Sequence, residues 1–479
     1  MRQASHRRKM RGRRTLKIRI IAATAALGLL AACTSTATQS DTTTPAPPIA
    51  VKQALASVSG EVSEANLRGY IEKMVSFGTR HTLSDQTSDV RGIGAARRWV
   101  ESEFRKMGAE CGGCLEVVTV QDTVTSPPRV PNPTVIANAV AILRGTTDPN
   151  RVIIIQGHLD SRVTDPLDFT SDAPGANDDA SGVAAVMESA RVLSKQKFGA
   201  TLVFAALSGE EQGLHGGRIL AAYAKAQGWD VLAVLNNDIV GNTHGLAATV
   251  DNRIRIFSEG VRSNEIDTIA AARRSVGGEV DAPARNLARY MDVIADQHMD
   301  DFDVSLVYRR DRFGRGGDQV PMVEAGFPAV RVTEAAENYT RQHQDLRSEA
   351  GIAYGDVISG VDFPYLAQVT RLNAMTMAAL ASAPRPPLEV KIDGAVSADT
   401  KVSWTASVGA ASYVVWWRET TSPVWQHSVV VAGSETSTTL KNVVIDDWFF
   451  GVQAVSADGY ASPVQFAGVV GAFFPPPAK

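Results

Sequence analysis

Arg151-Val152-Ile153-Ile154-Ile155-Gln156-Gly157-His158-Leu159-Asp160 is a β-branched apolar run that ends on a glycine and a histidine. Such a run reads as a buried strand, and His158 leaves its carboxyl end. The pattern recurs three times. Thr201 to Leu207 runs into Ser208-Gly209-Glu210-Glu211, Val231 to Leu235 into Asn236-Asn237-Asp238, and Ala329 to Thr333 into the loop that carries His343. Helical stretches, Ser181 to Lys195 and Leu214 to Ala226, lie between the strands. This alternation predicts an α/β domain on a mostly parallel, mixed sheet flanked by helices. Ligands of such sheets bind beyond the carboxyl ends of the strands, so four strand ends aim chemistry at one edge.

A fifth contribution comes from a turn, Ala173-Pro174-Gly175, followed by Asp178-Asp179 just before the helix near Ser181. One of these aspartates can cap the helix while the other binds metal. His158, Asp178, the Glu210-Glu211 pair, Asp238 and His343 form a nitrogen and oxygen donor set without thiolate, which suits zinc and tolerates cobalt or manganese. Two ions roughly 3.5–4 Å apart require one bridging carboxylate. Of Glu210 and Glu211, one then serves as ligand while its neighbour takes the proton of the attacking water. Asp160 is expected to accept the other imidazole N–H of His158 and fix its tautomer. His215 is left over once the ligand set is full, and His81 and His244 read as hydrogen-bonded structural histidines. The chain has no G-x-S-x-G elbow and no H-E-x-x-H helix, which weighs against a serine hydrolase of the α/β type and a thermolysin-like site.

The segments GHLDS, APGANDDASGVAAVMESARVL, SGEEQGLHGGR, LNND and GFPAVRVTE followed by NYTRQHQD resemble the zinc aminopeptidases of peptidase family M28, in order and at compatible spacing. The resemblance spans roughly residues 65 to 385. It implies two zinc ions, one held by His158 and Asp238 and the other by Glu211 and His343. It further implies that Asp178 bridges them, that Glu210 is the general base, and that the Asp178-Asp179 peptide is cis. Where many relatives carry Asp-His after the late glycines, this chain reads Arg315-Gly316-Gly317-Asp318-Gln319, which touches substrate contacts rather than metals. The expected activity is hydrolysis of N-terminal residues from peptides. Relatives on this scaffold also include carboxypeptidases and glutaminyl cyclases. An inert catalytic domain in a surface binding protein is the rival from another class, and an intact Glu210 argues against it. Tyr339, Tyr308 and Arg315 are candidates for the oxyanion partner.

Nine Lys or Arg lie between Arg2 and Arg19 without an acid, an apolar run follows from Ile20 to Ala32, and then comes Leu30-Ala31-Ala32-Cys33. The run is too short to span a bilayer permanently and reads as a signal peptide. Leu-Ala-Ala-Cys resembles a bacterial lipobox, implying export, cleavage before a lipidated Cys33 and attachment to the cell envelope. The expected organisation is a leader over 1–32, a disordered Thr/Ser/Pro-rich tether over 33–60, the metallopeptidase domain over 61–382, a linker over 383–387 and a second domain over 388–479. Loss of the leader leaves 39 basic against 51 acidic residues, a charge of −12, which disfavours nucleic acid as a partner. Cys111-Gly112-Gly113-Cys114 reads as a local disulfide. Five of the seven tryptophans fall after residue 400, among strand-like runs at Lys401–Trp404, Ser412–Trp417, His427–Val431 and Trp448–Val455. These predict a small β-sandwich that resembles a fibronectin type III domain, with Trp448 where that family usually has tyrosine. Its expected role is attachment to a cell-surface or polymer ligand, or plain packing.

Overall fold

The computed structural model describes residues 48–471. The leader, Cys33 and the Thr-rich segment to Pro47 lie outside the described residues.

Eight strands form one mixed sheet: β1 (Leu115–Ser126), β2 (Val130–Leu143), β3 (Asp148–His158), β4 (Ala200–Leu207), β5 (Asp230–Asn237), β6 (Arg253–Ser258), β7 (Asp303–Val307) and β8 (Ala329–Glu334). Their order is β1-β2-β4-β3-β5-β8-β6-β7. The central neighbours β4, β3, β5 and β8 run parallel, as do β6 and β7, while the β1/β2, β2/β4 and β8/β6 pairs are antiparallel. The continuous apolar run of β3 follows from burial on both faces. Ile153 and Ile155 pack into one layer with helices α1 (Ile49–Gly60), α2 (Glu64–Val75), α3 (Gly92–Glu110) and α4 (Ala180–Leu193). Val152 and Ile154 pack into the opposite layer with α5 (His215–Ala226). The remaining helices are α6 (Asp267–Arg274), α7 (Pro283–His298), α8 (Gln319–Glu324) and α9 (Phe363–Ser382); α7 and α9 join the first layer and α8 the second. A short hairpin, β9 (Arg347–Glu349) and β10 (Ile352–Tyr354), follows the loop of His343. Cys111 and Cys114 are joined by a disulfide at the end of α3.

One expected boundary is corrected. Residues 49–60 were assigned to a disordered tether, yet they form α1, with Val51, Leu55 and Val58 buried in the main core. Their spacing of four and three residues makes one apolar helical stripe. The Thr, Ser and Pro of the preceding segment masked that stripe.

Beyond α9, Arg385 pairs with Asp148 and Asp230, so the connection to the C-terminal part is pinned rather than loose. There, β11 (Leu388–Asp393), β12 (Thr400–Thr405) and β15 (Ser437–Leu440) form a three-stranded sheet, and β13 (Ser412–Glu419), β14 (His427–Ala432), β16 (Trp448–Val455) and β17 (Gln465–Phe466) a four-stranded one. Every pairing is antiparallel, and Trp404, Tyr413, Val415, Leu440, Phe450 and Val452 share one core, consistent with a β-sandwich.

The opposite face of the four-stranded sheet docks on the region of α7. Arg418 and Asp281, both fully enclosed, pair at 2.6 Å. Arg289 holds the other Asp281 oxygen at 2.9 Å and donates to the Pro423 carbonyl at 2.6 Å. Tyr290 donates to the Ala461 carbonyl, and Tyr308, directly after β7, donates to the Pro423 carbonyl at 3.0 Å.

Candidate metal centre

The parallel strands deliver the expected residues to one place. His158 closes β3, Glu210 and Glu211 follow β4, Asp238 follows β5, and His343 sits at positive φ in the loop after β8. Asp178 precedes α4, and its peptide bond to Asp179 is cis. The adjacent aspartates divide their duties. Asp179 caps α4 through Gly182 N–H at 3.0 Å and also accepts from the His158 and Ile239 N–H groups. Gly182 is required there, because a Cβ would come within 2.4 Å of the Asp179 carboxylate and 2.5 Å of the Asn237 carbonyl.

Asp178 turns its carboxylate into the cleft between the two histidines. Its Oδ1 lies 3.1 Å from His158 Nε2 and its Oδ2 lies 3.0 Å from His343 Nε2. Glu211 Oε1 is 2.9 Å from His343 Nε2, and Asp238 Oδ1 is 3.9 Å from His158 Nε2. Ligand atoms of His158, Glu210 and Asp238 lie within 4.8 Å of one another, and so do those of Asp178, Glu211 and His343. A tetrahedral ion with bonds of roughly 2.0–2.1 Å places its ligand atoms about 3.3 Å apart, so these separations suit zinc. Apart from this approach to His343 Nε2, which Asp178 Oδ2 shares, Glu211 Oε1 is buried without a hydrogen-bond partner among the described residues, an acceptor that a cation would satisfy.

The electrostatics agree with that fit. Against the effect of burial, Glu211 and Asp178 draw His343 up to about 10. Asp238 is held down at about 2, Arg331 and His158 outweighing its burial. Burial, reinforced by Glu211 and Asp238, pushes Glu210 well above the usual carboxylate range. That direction suits a group that must accept a proton near neutral pH.

Asp160 acts differently from the expectation. The ring nitrogen Nδ1 of His158 faces the Asp160 backbone carbonyl at 3.0 Å, whereas the carboxylate stands off at 3.7 Å. The carboxylate instead accepts from Thr82 Oγ1 and from the N–H groups of Glu210 and Glu211, at 2.9, 3.2 and 3.1 Å. In this geometry Asp160 acts through the groups it positions. The turn between β4 and α5 has backbone donors to satisfy, and the enclosed carboxylate of Asp160 takes two of them.

Sequence reasoning missed three supports. Arg162 binds Glu211 Oε2 at 2.8 Å and Arg331 binds Asp238 Oδ2 at 2.6 Å, so each of these carboxylates keeps one oxygen for the cleft. Asp356 accepts from the Asn177 and Asp178 N–H groups. The available signal was Arg331 itself, a charge inside the buried run Ala329 to Thr333, which has to be paired.

Of the oxyanion candidates, Tyr308 is excluded because its hydroxyl serves the sandwich junction. Tyr339 is exposed, and Arg315 lines the cleft. Gln319 is buried, donating to the Arg310 carbonyl and accepting from Asn236, so it contributes to packing rather than to the cleft. His81 accepts from Leu83 N–H and turns Nε2 to the Pro166 carbonyl, His244 is hydrogen-bonded within its own loop, and His215 stands outside both donor clusters.

A mixed α/β sheet with histidines and carboxylates converging beyond its parallel strands defines a metal-dependent hydrolase. The profile of peptidase family M28 matches residues 138–350. A probable zinc metalloprotease of Leptosphaeria maculans is 45% identical over 410 residues, covering 85% of this chain and 95% of that one. Another from Pyricularia oryzae is 42% identical, covering 85% and 83%. The chain belongs to peptidase family M28, and it is a metallopeptidase. Among solved structures, LapB from Legionella pneumophila superposes with a TM-score of 0.52 at 17% identity, covering 70% of this chain and 76% of that one. The Legionella pneumophila LapA aminopeptidase gives 0.51 at 20%, covering 71% and 78%. These two likenesses speak for the fold. The two curated relatives are fungal, so they support the family and not the bacterial source read from the leader.

Proposed function

We propose that this enzyme is a di-zinc aminopeptidase. The observation that carries the reading is Asp178, whose two oxygens each lie within 3.1 Å of a different histidine. In this reading His158 and Asp238 would hold one zinc, Glu211 and His343 the other, and Asp178, which faces both histidines, would be shared between them. Zinc supplies Lewis acidity toward the scissile carbonyl and acidifies water. Glu210 accepts the proton of the attacking water and returns it to the departing amine. Arg162 and Arg331 orient the two terminal carboxylates, and Asp160 fixes the backbone of the base and its neighbour.

Amino-acid nitroanilides assayed against N-blocked peptides test the reading, together with the zinc content of the purified protein. Cleavage of nitroanilides with close to two zinc equivalents is expected. Cleavage of N-blocked peptides alone would establish a carboxypeptidase.

The exported, lipid-anchored state through Cys33 belongs to the same proposal and is tested by lipid labelling of Cys33→Ser. The three-plus-four strand arrangement supports a fibronectin type III-like reading of the C-terminal sandwich. The docking of its outer face on α7 supports a packing role. A cell-surface or polymer ligand would bind elsewhere on the sandwich.

A further inference from the structure

The cleft has a volume of about 330 Å³ and is lined by both histidines, the four carboxylates of the metal and base set, and four arginines: Arg129, Arg162, Arg312 and Arg315. Each lining acid, Asp178, Glu210, Glu211 and Asp238, already has a part in the proposed chemistry. Two divalent ions would offset all four, leaving the guanidiniums as the net charge a substrate meets.

The arginines differ in how they are held. Arg162 is committed to Glu211, and Arg312 to Asp311 and Glu337. Arg129, on the turn between β1 and β2, donates to the Glu211 carbonyl at 2.6 Å and has no carboxylate partner among the described residues. Arg315 reaches Glu337 only at 3.5 Å, and that carboxylate is already shared by Arg255 at 2.5 Å and Arg312 at 2.8 Å. Its second acceptor is Gln342 Oε1 at 3.2 Å, while Gln342 Nε2 donates to Asp178 Oδ2 at 3.3 Å. Arg129 is thus one residue from the Glu211 side of the centre, and Arg315 one residue from the bridging position.

We propose that Arg129 and Arg315 form a carboxylate-recognition subsite on the rim of the cleft, selecting peptides with a carboxylate within one residue of the scissile bond. A guanidinium with free N–H groups matches a carboxylate in charge and in planar geometry. The inference rests on the peptidase reading above. The carboxylate has two sources, an acidic side chain or the free C-terminus of a short peptide.

The test uses the full-length, zinc-loaded protein. Glu- is compared with Gln-nitroanilide, and Leu-Gly with Leu-glycinamide. Preference in the first pair assigns the side chain, preference in the second the terminus, and the expected ratio in kcat/KM is about ten-fold or more. Arg129→Gln should reduce that ratio by raising KM, leaving Leu-nitroanilide within about two-fold, and Arg315→Gln should cost the carboxylate substrate of each pair more than its neutral partner. Equal turnover within both pairs, or equal loss on every substrate in the variants, overturns the subsite. If no peptide is cleaved, the peptidase reading falls by itself. Calorimetry with glutamate against glutamine, and leucine against leucinamide, then still reads the subsite. Tighter binding of the carboxylate form, weakened in both variants, supports it, and indifference overturns it.

Discussion

At the sandwich junction, Asp281 accepts from two guanidiniums, further donors of Arg289 and Arg418 meet the carbonyls of Val280, Pro423, Glu419 and Ser422, and the Arg418 guanidinium, whose Nε has no acceptor among the described residues, lies over Trp425 and Phe449. In the metal cleft, four carboxylates face one another and two imidazoles, and Glu211 Oε1 competes with Asp178 Oδ2 for the one ring nitrogen His343 Nε2. Both regions bury charge, but the junction sets two guanidiniums of the protein against one carboxylate while the cleft gathers four carboxylates around two imidazoles. The difference teaches that burial of ions alone marks no functional site. An unbalanced set of acceptors sharing one cavity does.

That contrast is broken most severely at Asp178. Replacing it by Ala should empty both metal positions and abolish turnover, whereas His343→Ala should mainly empty one; metal analysis of the two variants distinguishes them. Retention of both ions in Asp178→Ala would falsify the bridge. Glu210→Gln comes next. It keeps size and hydrogen bonding, so zinc content and melting should hold while kcat falls about 10²–10⁴-fold. Glu211→Gln should instead lose zinc together with rate, and the reverse outcome would exchange the two roles.

The junction should answer in stability rather than chemistry. Asp281→Ala leaves Arg418 enclosed without its carboxylate, at a cost of about 3–5 kcal/mol in denaturant unfolding. Zinc content at low denaturant should be unchanged; a drop in zinc would show that the regions are not independent. Leu55→Ala in α1 should cost about 2 kcal/mol, the low end for a core leucine, because α1 is a peripheral helix. A loss within error would return residues 49–60 to the tether. The smallest effect is expected for Tyr308→Phe, about 1 kcal/mol for one hydrogen bond. Tyr308 begins the segment that leads to Arg312 and Arg315, so kcat/KM on a neutral substrate should stay within about two-fold if the sandwich and the cleft act separately.

The β-branched runs ending in Gly157-His158, Gly209-Glu210 and Asn237-Asp238 made the central strands and their shared edge readable, because period and composition act locally. The donor set was readable for the same reason: each residue follows its own strand or turn. The supports were not. Arg162 reaches Glu211 across 49 positions, and Arg331 lies 93 positions from Asp238, so no local pattern announces either pair. Asp160 was singled out for the right neighbourhood with the wrong group, since spacing places a residue near a histidine without saying whether its carbonyl or its carboxylate will face the ring. The docking of the sandwich was also hidden. Arg418 sits in an alternating strand where an outward charge usually means solvent, and only the tertiary fold supplies Asp281.

Asp160 has one more consequence, for motion. Its carbonyl faces the ring of His158, and its carboxylate carries the N–H groups of Glu210 and Glu211, so the end of β3 and the turn after β4 are fastened at a single residue. A displacement of either segment is therefore passed to the other, and the proton acceptor, its neighbouring ligand and the anchoring imidazole are tied to move as one body.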